Sequence, residues 1–229
     1  MDANGLAQFA ALQKLPAAVL CQLADQMDRR RFQTGESLFQ QGGEVSPLVA
    51  LQSGRVKLFR QSRQERVQIL ALPLPGECFG GETLANDTPC PYSATALQPA
   101  RALVLPPEKL RQLVLAVPEF QEVFLNLVTT RLKQFVTLVH DLAFRDVTAR
   151  LAAVLVARAQ SEGQRTNHGI IIERLLSQQE YAEIAGTARE VVYRTFRKFE
   201  QEGLASFTRE TIEITAFETL AEIARQETH

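Results

Sequence analysis

The chain has 229 residues, 45% of them apolar and 22% charged, an ordinary globular composition with enough length for one large domain or two small ones. Its 25 basic side chains against 26 acidic ones leave a net charge of −1, which excludes a global basic field that would draw the whole chain onto nucleic acid or a membrane surface. No apolar run approaches the ~20 residues that span a bilayer. The start, Met1–Gly5, lacks the basic-then-apolar pattern of a signal peptide, and three widely spaced cysteines fit neither a disulfide framework nor a four-thiolate metal site. A cytoplasmic protein with no membrane partner and no metal is expected.

Leu15-Pro16 places a proline at the first position of a helix, and Val19, Leu20, Leu23 and Met27 then repeat at three- to four-residue spacing. After Arg29-Arg30-Arg31 the period changes to short strand-like runs: Leu38-Phe39, Leu48–Leu51, Val56–Phe59, Val67–Leu70 and Ala102–Leu105. Thr34-Gly35, Gly42-Gly43, Ser53-Gly54, Pro73–Gly76 and Gly80-Gly81 punctuate them as turns. Many short strands with glycine at the corners read as an antiparallel barrel or roll.

A long helix follows from about Pro118 to Phe144. Leu125, Val128, Leu132, Phe135, Val139 and Leu142 are spaced 3, 4, 3, 4, 3, and a heptad seam sustained this far predicts a paired helix, hence a homodimer. The plainer alternative is a helix packed on its own roll, a task that Phe120, Phe124 and Leu127 could perform. From Asp146 onward the pattern predicts a helix over Val147–Ala159, a polar loop at Ser161–Gln164 and a short strand at Ile170–Ile172. Two helices around Gly186 and a closing pair of strand-like runs, Leu204–Phe207 and Thr211–Thr215, complete the chain. This last stretch holds 10 basic and 13 acidic side chains, so any basic patch in it must be local.

Such a patch lies between Leu176 and Phe199. Ser177 with Glu180 three residues on is a capping box that starts a helix, and Gly186 supplies the left-handed backbone that stops it. On the next helix, Val192, Phe196 and Phe199 share one face, while Arg189, Glu190, Tyr193, Arg194 and Arg197 fall on an arc of roughly 140° opposite. Two helices joined at a tight glycine turn, the second with an arginine-rich outer face, form a helix-turn-helix. Arginine can donate two parallel hydrogen bonds to guanine O6 and N7, and glutamate can accept from the cytosine amine, so this face suits double-stranded DNA. The competing reading is a solvated face laced with ion pairs, of which Glu190 to Arg194 would be one.

With these residues in view, the chain resembles the CRP/FNR family of bacterial transcription regulators along nearly its whole length. The likeness rests on the glycine-punctuated roll (Gly35-Glu36, Gln41-Gly42, Ser53-Gly54, Gly76-Glu77, Gly80), on the hinge Leu142-Ala143-Phe144-Arg145-Asp146-Val147-Thr148-Ala149-Arg150-Leu151, and on Ala188-Arg189-Glu190-Val191-Val192-Tyr193-Arg194. It implies an α+β fold: an N-terminal antiparallel double-stranded β-roll that senses an effector (1–117), a long dimerisation helix and hinge (118–145), and a C-terminal winged helix-turn-helix (146–229). It also implies a homodimer on a near-palindromic duplex, with RNA polymerase as a further partner. Arg189, Glu190 and Arg194 match the family's base-reading trio. Ser177, Gln179, Ala188 and Arg197 match phosphate-contacting positions, Ala188 through its backbone alone, and Thr208 falls at the wing tip. Tyr193 stands where the resemblance leads one to expect a small residue or serine.

On the effector side, cyclic-nucleotide-binding members use a Gly-Glu pair for the ribose, an Arg-Ser pair for the phosphate and two helix residues for the base. The corresponding residues here are Gly80-Gly81, with the acid displaced to Glu82, then Tyr92-Ser93 and Phe135-Val136. Tyrosine offers no positive charge to a buried phosphate, and Phe135 and Val136 cannot hydrogen-bond a purine, so cyclic AMP and cyclic GMP are excluded as expected effectors. Cys21, Cys78 and Cys90 are too few and wrongly placed for the iron–sulfur cluster of the oxygen-sensing branch; they read as small, mostly buried apolar residues, with a Cys78–Cys90 redox pair left open. The segment Asn86–Ala96 resembles the denitrification branch, which senses nitric oxide through haem. Haem needs an axial ligand, for which the histidines are His140, His168 and His229.

An enzyme is not expected. There is no His/Cys/Asp cluster, no G-x-S-x-G elbow, and Gly80-Gly81-Glu82 opens no helix that would cradle a phosphate. A stand-alone small-molecule sensor is the remaining alternative, but it would leave residues 146–229 without a purpose.

Overall fold

The computed structural model describes residues 5–84 and 88–227. Asn86 and Asp87 of the segment likened to the nitric-oxide branch, and His229, lie outside the described residues. The chain divides into two compact units, one ending at Phe135 and one beginning at Val136, so the boundary falls inside the long helix rather than at either of its ends.

The first unit opens with helix α1 (Ala17–Gln26), for which Pro16 is the N-cap rather than the first helical residue. Strands β1 (Asp28–Phe32), β8 (Ala100–Leu105), β3 (Leu48–Ser53) and β6 (Cys78–Phe79) form one antiparallel sheet in that order. Strands β2 (Ser37–Phe39), β7 (Ser93–Ala96), β4 (Val56–Gln61) and β5 (Val67–Ala71) form a second. The unbroken apolar runs are explained by burial on both faces. Because side chains alternate along a strand, Leu48 and Ala50 enter a core shared with α1, while Val49 and Leu51 enter the roll interior. On β8, Leu103 and Leu105 go to the first core and Ala100 and Ala102 to the second. β1 was unrecognised because Asp28, Arg29, Arg30 and Arg31 are all exposed; charge is what a sheet edge carries to avoid further pairing. Helix α2 (Pro107–Ala116), also absent from the sequence reading, inserts Leu110 and Leu113 into the core around α1.

Helix α3 runs from Pro118 to Phe144, as the sequence predicts. In the second unit, Asp146 caps α4 (Val147–Glu162) by accepting from the Ala149 amide at 2.7 Å. The wing is an antiparallel sheet in the order β11 (Ala205–Phe207), β12 (Thr211–Ile214), β10 (Ile170–Glu173), β9 (Gln164–Arg165). Helices α5 (Gln178–Ala185) and α6 (Arg189–Gln201) make the helix-turn-helix. A final helix α7 (Phe217–Arg225), not foreseen from the sequence, packs on α4 through Leu220, Ala221 and Ala224. Among the described residues no helix is long and apolar enough to cross a membrane.

Candidate functional site

The helix-turn-helix is built by local signals. Ser177 Oγ accepts from the Glu180 amide at 3.2 Å while the Glu180 carboxylate accepts from the Ser177 amide at 2.8 Å, completing the capping box. Gly186 ends α5 in the left-handed region at φ 61°. Val192, Thr195, Phe196 and Phe199 bury the inner face of α6. Phe196 stacks on Phe207 of the wing at 4.3 Å and meets the edge of Tyr181 on α5 at 5.0 Å, so one ring ties recognition helix, partner helix and wing together.

Arg158 of α4 anchors this assembly and was missed from the sequence, where it reads as one more charge on a helix. It is buried; Nε donates to Glu162 Oε1 at 2.6 Å, Nη1 to the Tyr181 hydroxyl at 2.7 Å and Nη2 to the Glu173 carbonyl at 2.6 Å. Burial pushes the Tyr181 phenol above its ordinary range, so it stays a neutral acceptor for Arg158.

The outer face of α6 carries Arg189, Glu190, Tyr193, Arg194 and Arg197, all exposed. The Glu190–Arg194 ion pair of the solvated-face reading does not form. Among the described residues Arg189, Glu190, Tyr193 and Arg194 make no hydrogen bond or ion pair, and only Arg197 is engaged, with Glu200 at 3.1 Å. A row of unneutralised donors with one acceptor therefore points outward. Ala188 is the N-cap of α6 and offers no side-chain cap, which leaves the amides at the helix start open to an anion. Ser177 is spent on the capping box, and the exposed Gln179 donates to Glu183 at 3.2 Å. The Thr208 hydroxyl is used inside the wing turn, accepting from the Thr211 amide at 2.9 Å, and the Thr208 carbonyl accepts from Arg174. The exposed cation next to it is Arg209, which the sequence reading passed over.

Of the residues expected to line an effector pocket, Glu82, Tyr92 and Phe135 come together. Gly80 takes φ 88°, and a Cβ there would lie 2.1 Å from the Pro47 carbonyl, so only glycine fits this close passage. The chain then presents Glu82, whose Oε1 accepts from the buried Tyr92 hydroxyl at 2.7 Å. The acid is thus present and directed at the residue standing in for the phosphate-pairing arginine. The Gly81 amide donates to Ser46, and Ser93 Oγ accepts from the Gln41 amide at 2.9 Å. Phe135 closes the cluster edge-on to Tyr92 at 6.2 Å, with Phe39 on another side at 5.6 Å. Burial, and then the Glu82 charge, drive the Tyr92 phenol far above its ordinary value, so it remains a neutral donor. A cation unnoticed in the sequence reaches this cluster from α3: Arg131, 6% exposed, with Nε 3.7 Å from Glu82 Oε1 and Nη1 donating to Gln134 at 2.6 Å. Its Nε and Glu82 Oε2 have no hydrogen-bond partner among the described residues. A cleft of about 280 Å³ beside Arg131 is lined by Thr130, Gln134, Gly76 and Cys78 among others.

The roll sequence offers no histidine as an axial ligand for haem. His140 is on α3, facing Asp141 and Glu227 and lying against Phe144, and His168 is in the exposed β9–β10 turn. Cys78 and Cys90 are buried free thiols, burial raising both above the usual range and Cys78 to about 12; Cys21, expected to be buried, is exposed.

The predicted seam on α3 splits into two rows. Leu125 (65% exposed), Leu132 (60%) and Val139 (66%) are free of intrachain cover. Val128, Phe135 and Leu142 are half-buried, Phe135 packing against the roll core. Val136, assigned from the sequence to the pocket, is instead 61% exposed and joins the first row. The exposed apolar row is therefore Leu125, Leu132, Val136 and Val139, at spacings of seven, four and three residues.

The family model for the cyclic nucleotide-binding domain matches residues 29–116, and that for the Crp-like helix-turn-helix domain matches residues 149–223. The second match removes the stand-alone sensor reading. A CRP-like cAMP-activated global transcriptional regulator of Mycobacterium tuberculosis is 28% identical over 220 residues, covering 96% of this chain and 98% of that protein. The cyclic AMP receptor protein of Thermus thermophilus is 29% identical over 196 residues, 86% of this chain and 88% of that one. Among solved structures, a variant of CooA from Carboxydothermus hydrogenoformans shares the fold with a TM-score of 0.74 at 21% identity, covering 93% of each chain. Two sensor and DNA-binding modules in this order, on this roll, long helix and winged helix-turn-helix, place the chain in the CRP/FNR family of transcription regulators, which are not enzymes.

Proposed function

We propose that the protein regulates transcription as a homodimer on a near-palindromic DNA site, under an effector other than cyclic AMP, and with RNA polymerase as its downstream partner. The observation that carries the DNA reading is the outer face of α6, where Arg189, Glu190 and Arg194 are exposed and unpaired above a fully packed inner face. The two arginines read guanine and Glu190 an adjacent cytosine amine, while Arg197, Gln179, Ser177, Thr208 and the Ala188 backbone lie on the phosphates. Half-sites sit about one helical turn apart, ~34 Å, the spacing at which helix-turn-helix dimers meet successive major grooves. The exposed row Leu125, Leu132, Val136 and Val139 supplies the two-fold contact.

Relatives named for cyclic AMP share the framework, but here Tyr92 and Phe135 occupy the roll interior, and the nearby cation, Arg131, faces Glu82. A cyclic phosphate would have to displace that carboxylate to find a positive partner. Selection from a random duplex pool tests the DNA reading. Arg194→Ala costs roughly 1–3 kcal/mol and relaxes preference at one base pair, whereas Arg197→Ala weakens all sequences alike and lowers the salt slope by about one. Identical sequence preferences for wild type and Arg194→Ala would refute it.

A further inference from the structure

We infer that Tyr193 reads a thymine, packing its ring against the C5-methyl group in the major groove at the base pair next to the one contacted by Arg194. The inference rests on the DNA-reading assignment of α6 and deepens it. Tyr193 is 52% exposed, the large aromatic on a face otherwise made of charged groups. Its hydroxyl has no partner among the described residues, so neither packing nor hydrogen bonding within the chain accounts for it.

Its place on the helix is specific. Arg189 is the first residue of α6, and Tyr193 lies one turn in, between Arg189 and Arg197 on a single i, i+4, i+8 stripe. The N-terminal residues of a recognition helix are the ones that reach base edges. Arg189 and Arg194 meet that condition with donors and Glu190 with an acceptor. Tyr193, on the same exposed face, brings a flat apolar ring. Thymine is the base that presents an apolar group in the major groove, and a ring against that methyl removes both from water. Tyrosine has two side-chain torsions to immobilise, so little ordering entropy opposes the contact. The ring stands among base readers, whereas Arg197 one turn further on carries the phosphate-type cation, which favours a base over the backbone.

The test uses the full-length protein and a duplex taken from the selected pool. Each thymine of a half-site is replaced in turn by uracil, which deletes the methyl and leaves every hydrogen bond. For wild type, one position next to the Arg194-dependent G·C pair should weaken binding about three- to fivefold, the value of one buried methyl group. Tyr193→Phe should retain this methyl dependence. Tyr193→Ser should bind the thymine site about as weakly as wild type binds the uracil site, show no further loss on uracil, and drop the thymine from its selected sequences. Because Tyr193 is exposed, all three proteins should melt alike. The inference is overturned if Tyr193→Ser keeps the methyl dependence, or if Tyr193→Phe loses it, which would assign the contact to the hydroxyl. Arg194→Ala separates this from the parent reading. If it abolishes preference for its own G·C pair while Tyr193→Ser changes nothing, only the thymine contact fails; if Arg194→Ala also leaves the selected sequences unchanged, the recognition helix itself is misassigned.

Discussion

Replacing Arg158 with Met removes the buried cation that holds the helix-turn-helix to α4. The stem volume is nearly kept, so the loss is polar. Three short hydrogen bonds go, to Glu162 (2.6 Å), the Tyr181 hydroxyl (2.7 Å) and the Glu173 carbonyl (2.6 Å). Charge-assisted bonds contribute about 1.5–3 kcal/mol each, but their sum overshoots, because the guanidinium no longer has to be desolvated. The decisive remainder is Glu162, with a side chain only 15% exposed, which loses the Arg158 guanidinium. Breaking a buried pair from one side costs about 3–5 kcal/mol, and that is the expected destabilisation of the second unit. Adding Glu162→Leu removes that carboxylate as well, and the double variant should regain most of the loss. Hydrogen exchange of the α5 and α6 amides is the suitable assay, because it reads this unit apart from the roll. A fall in protection below about 1 kcal/mol, or a double variant no better than the single one, would show that Arg158 does not anchor the helix-turn-helix. DNA affinity should fall with the fraction of ordered helix-turn-helix, without a change in the preferred sequence.

Three further outcomes are expected. Leu132→Glu with Val139→Glu sets like charges on the exposed row of α3 and should convert a micromolar dimer to monomer in sedimentation, while Val128→Ala, on the half-buried row, should not; a wild-type monomer at that concentration refutes the interface. Cyclic AMP should give no binding heat in calorimetry at micromolar protein, and tight binding would overturn the argument from Tyr92, Phe135 and the Arg131–Glu82 pair. A thiol reagent at pH 8 should modify exposed Cys21 and spare buried Cys78 and Cys90 until the chain unfolds. With the Cys78 thiol pushed up to about 12 in the fold against 9.0 when free, its contribution to stability is intact below pH 9 and declines as pH rises from 9 toward 12; the stability difference between wild type and Cys78→Ala should therefore be constant below pH 9 and shift against wild type only in that window.

Much of the DNA-binding half was legible because its signals are local. The Ser177–Glu180 capping box, the left-handed Gly186 and the 3.6-residue period of α6 act within one or two turns, so a linear reading recovers the start and stop of α5 and the two faces of α6. α7 was lost in the same half because Leu220, Ala221 and Ala224 form a short stripe after two strands, with no side-chain cap to announce it. In the roll, glycine punctuation located the turns but not the sheet edges. β1 is a strand through its pairing with β8, from Asp28 opposite Val104 to Phe32 opposite Ala100, and its own residues are almost all charged.

By itself, then, the sequence determined the order of modules, the course of α3 and the faces of α6, since periodicity and capping are properties of neighbouring residues. The tertiary structure decided what depends on residues far apart. Glu82, Tyr92 and Arg131 come from a turn, a roll strand's edge and the long helix, and only folding brings the carboxylate to the phenol and the guanidinium. It also decided which apolar row of α3 stays open, because the roll takes Phe135 for its own core and leaves Leu125, Leu132, Val136 and Val139 uncovered. A heptad marks a helix as having a second apolar face, but which residues remain to form it depends on how many the rest of the fold has already buried.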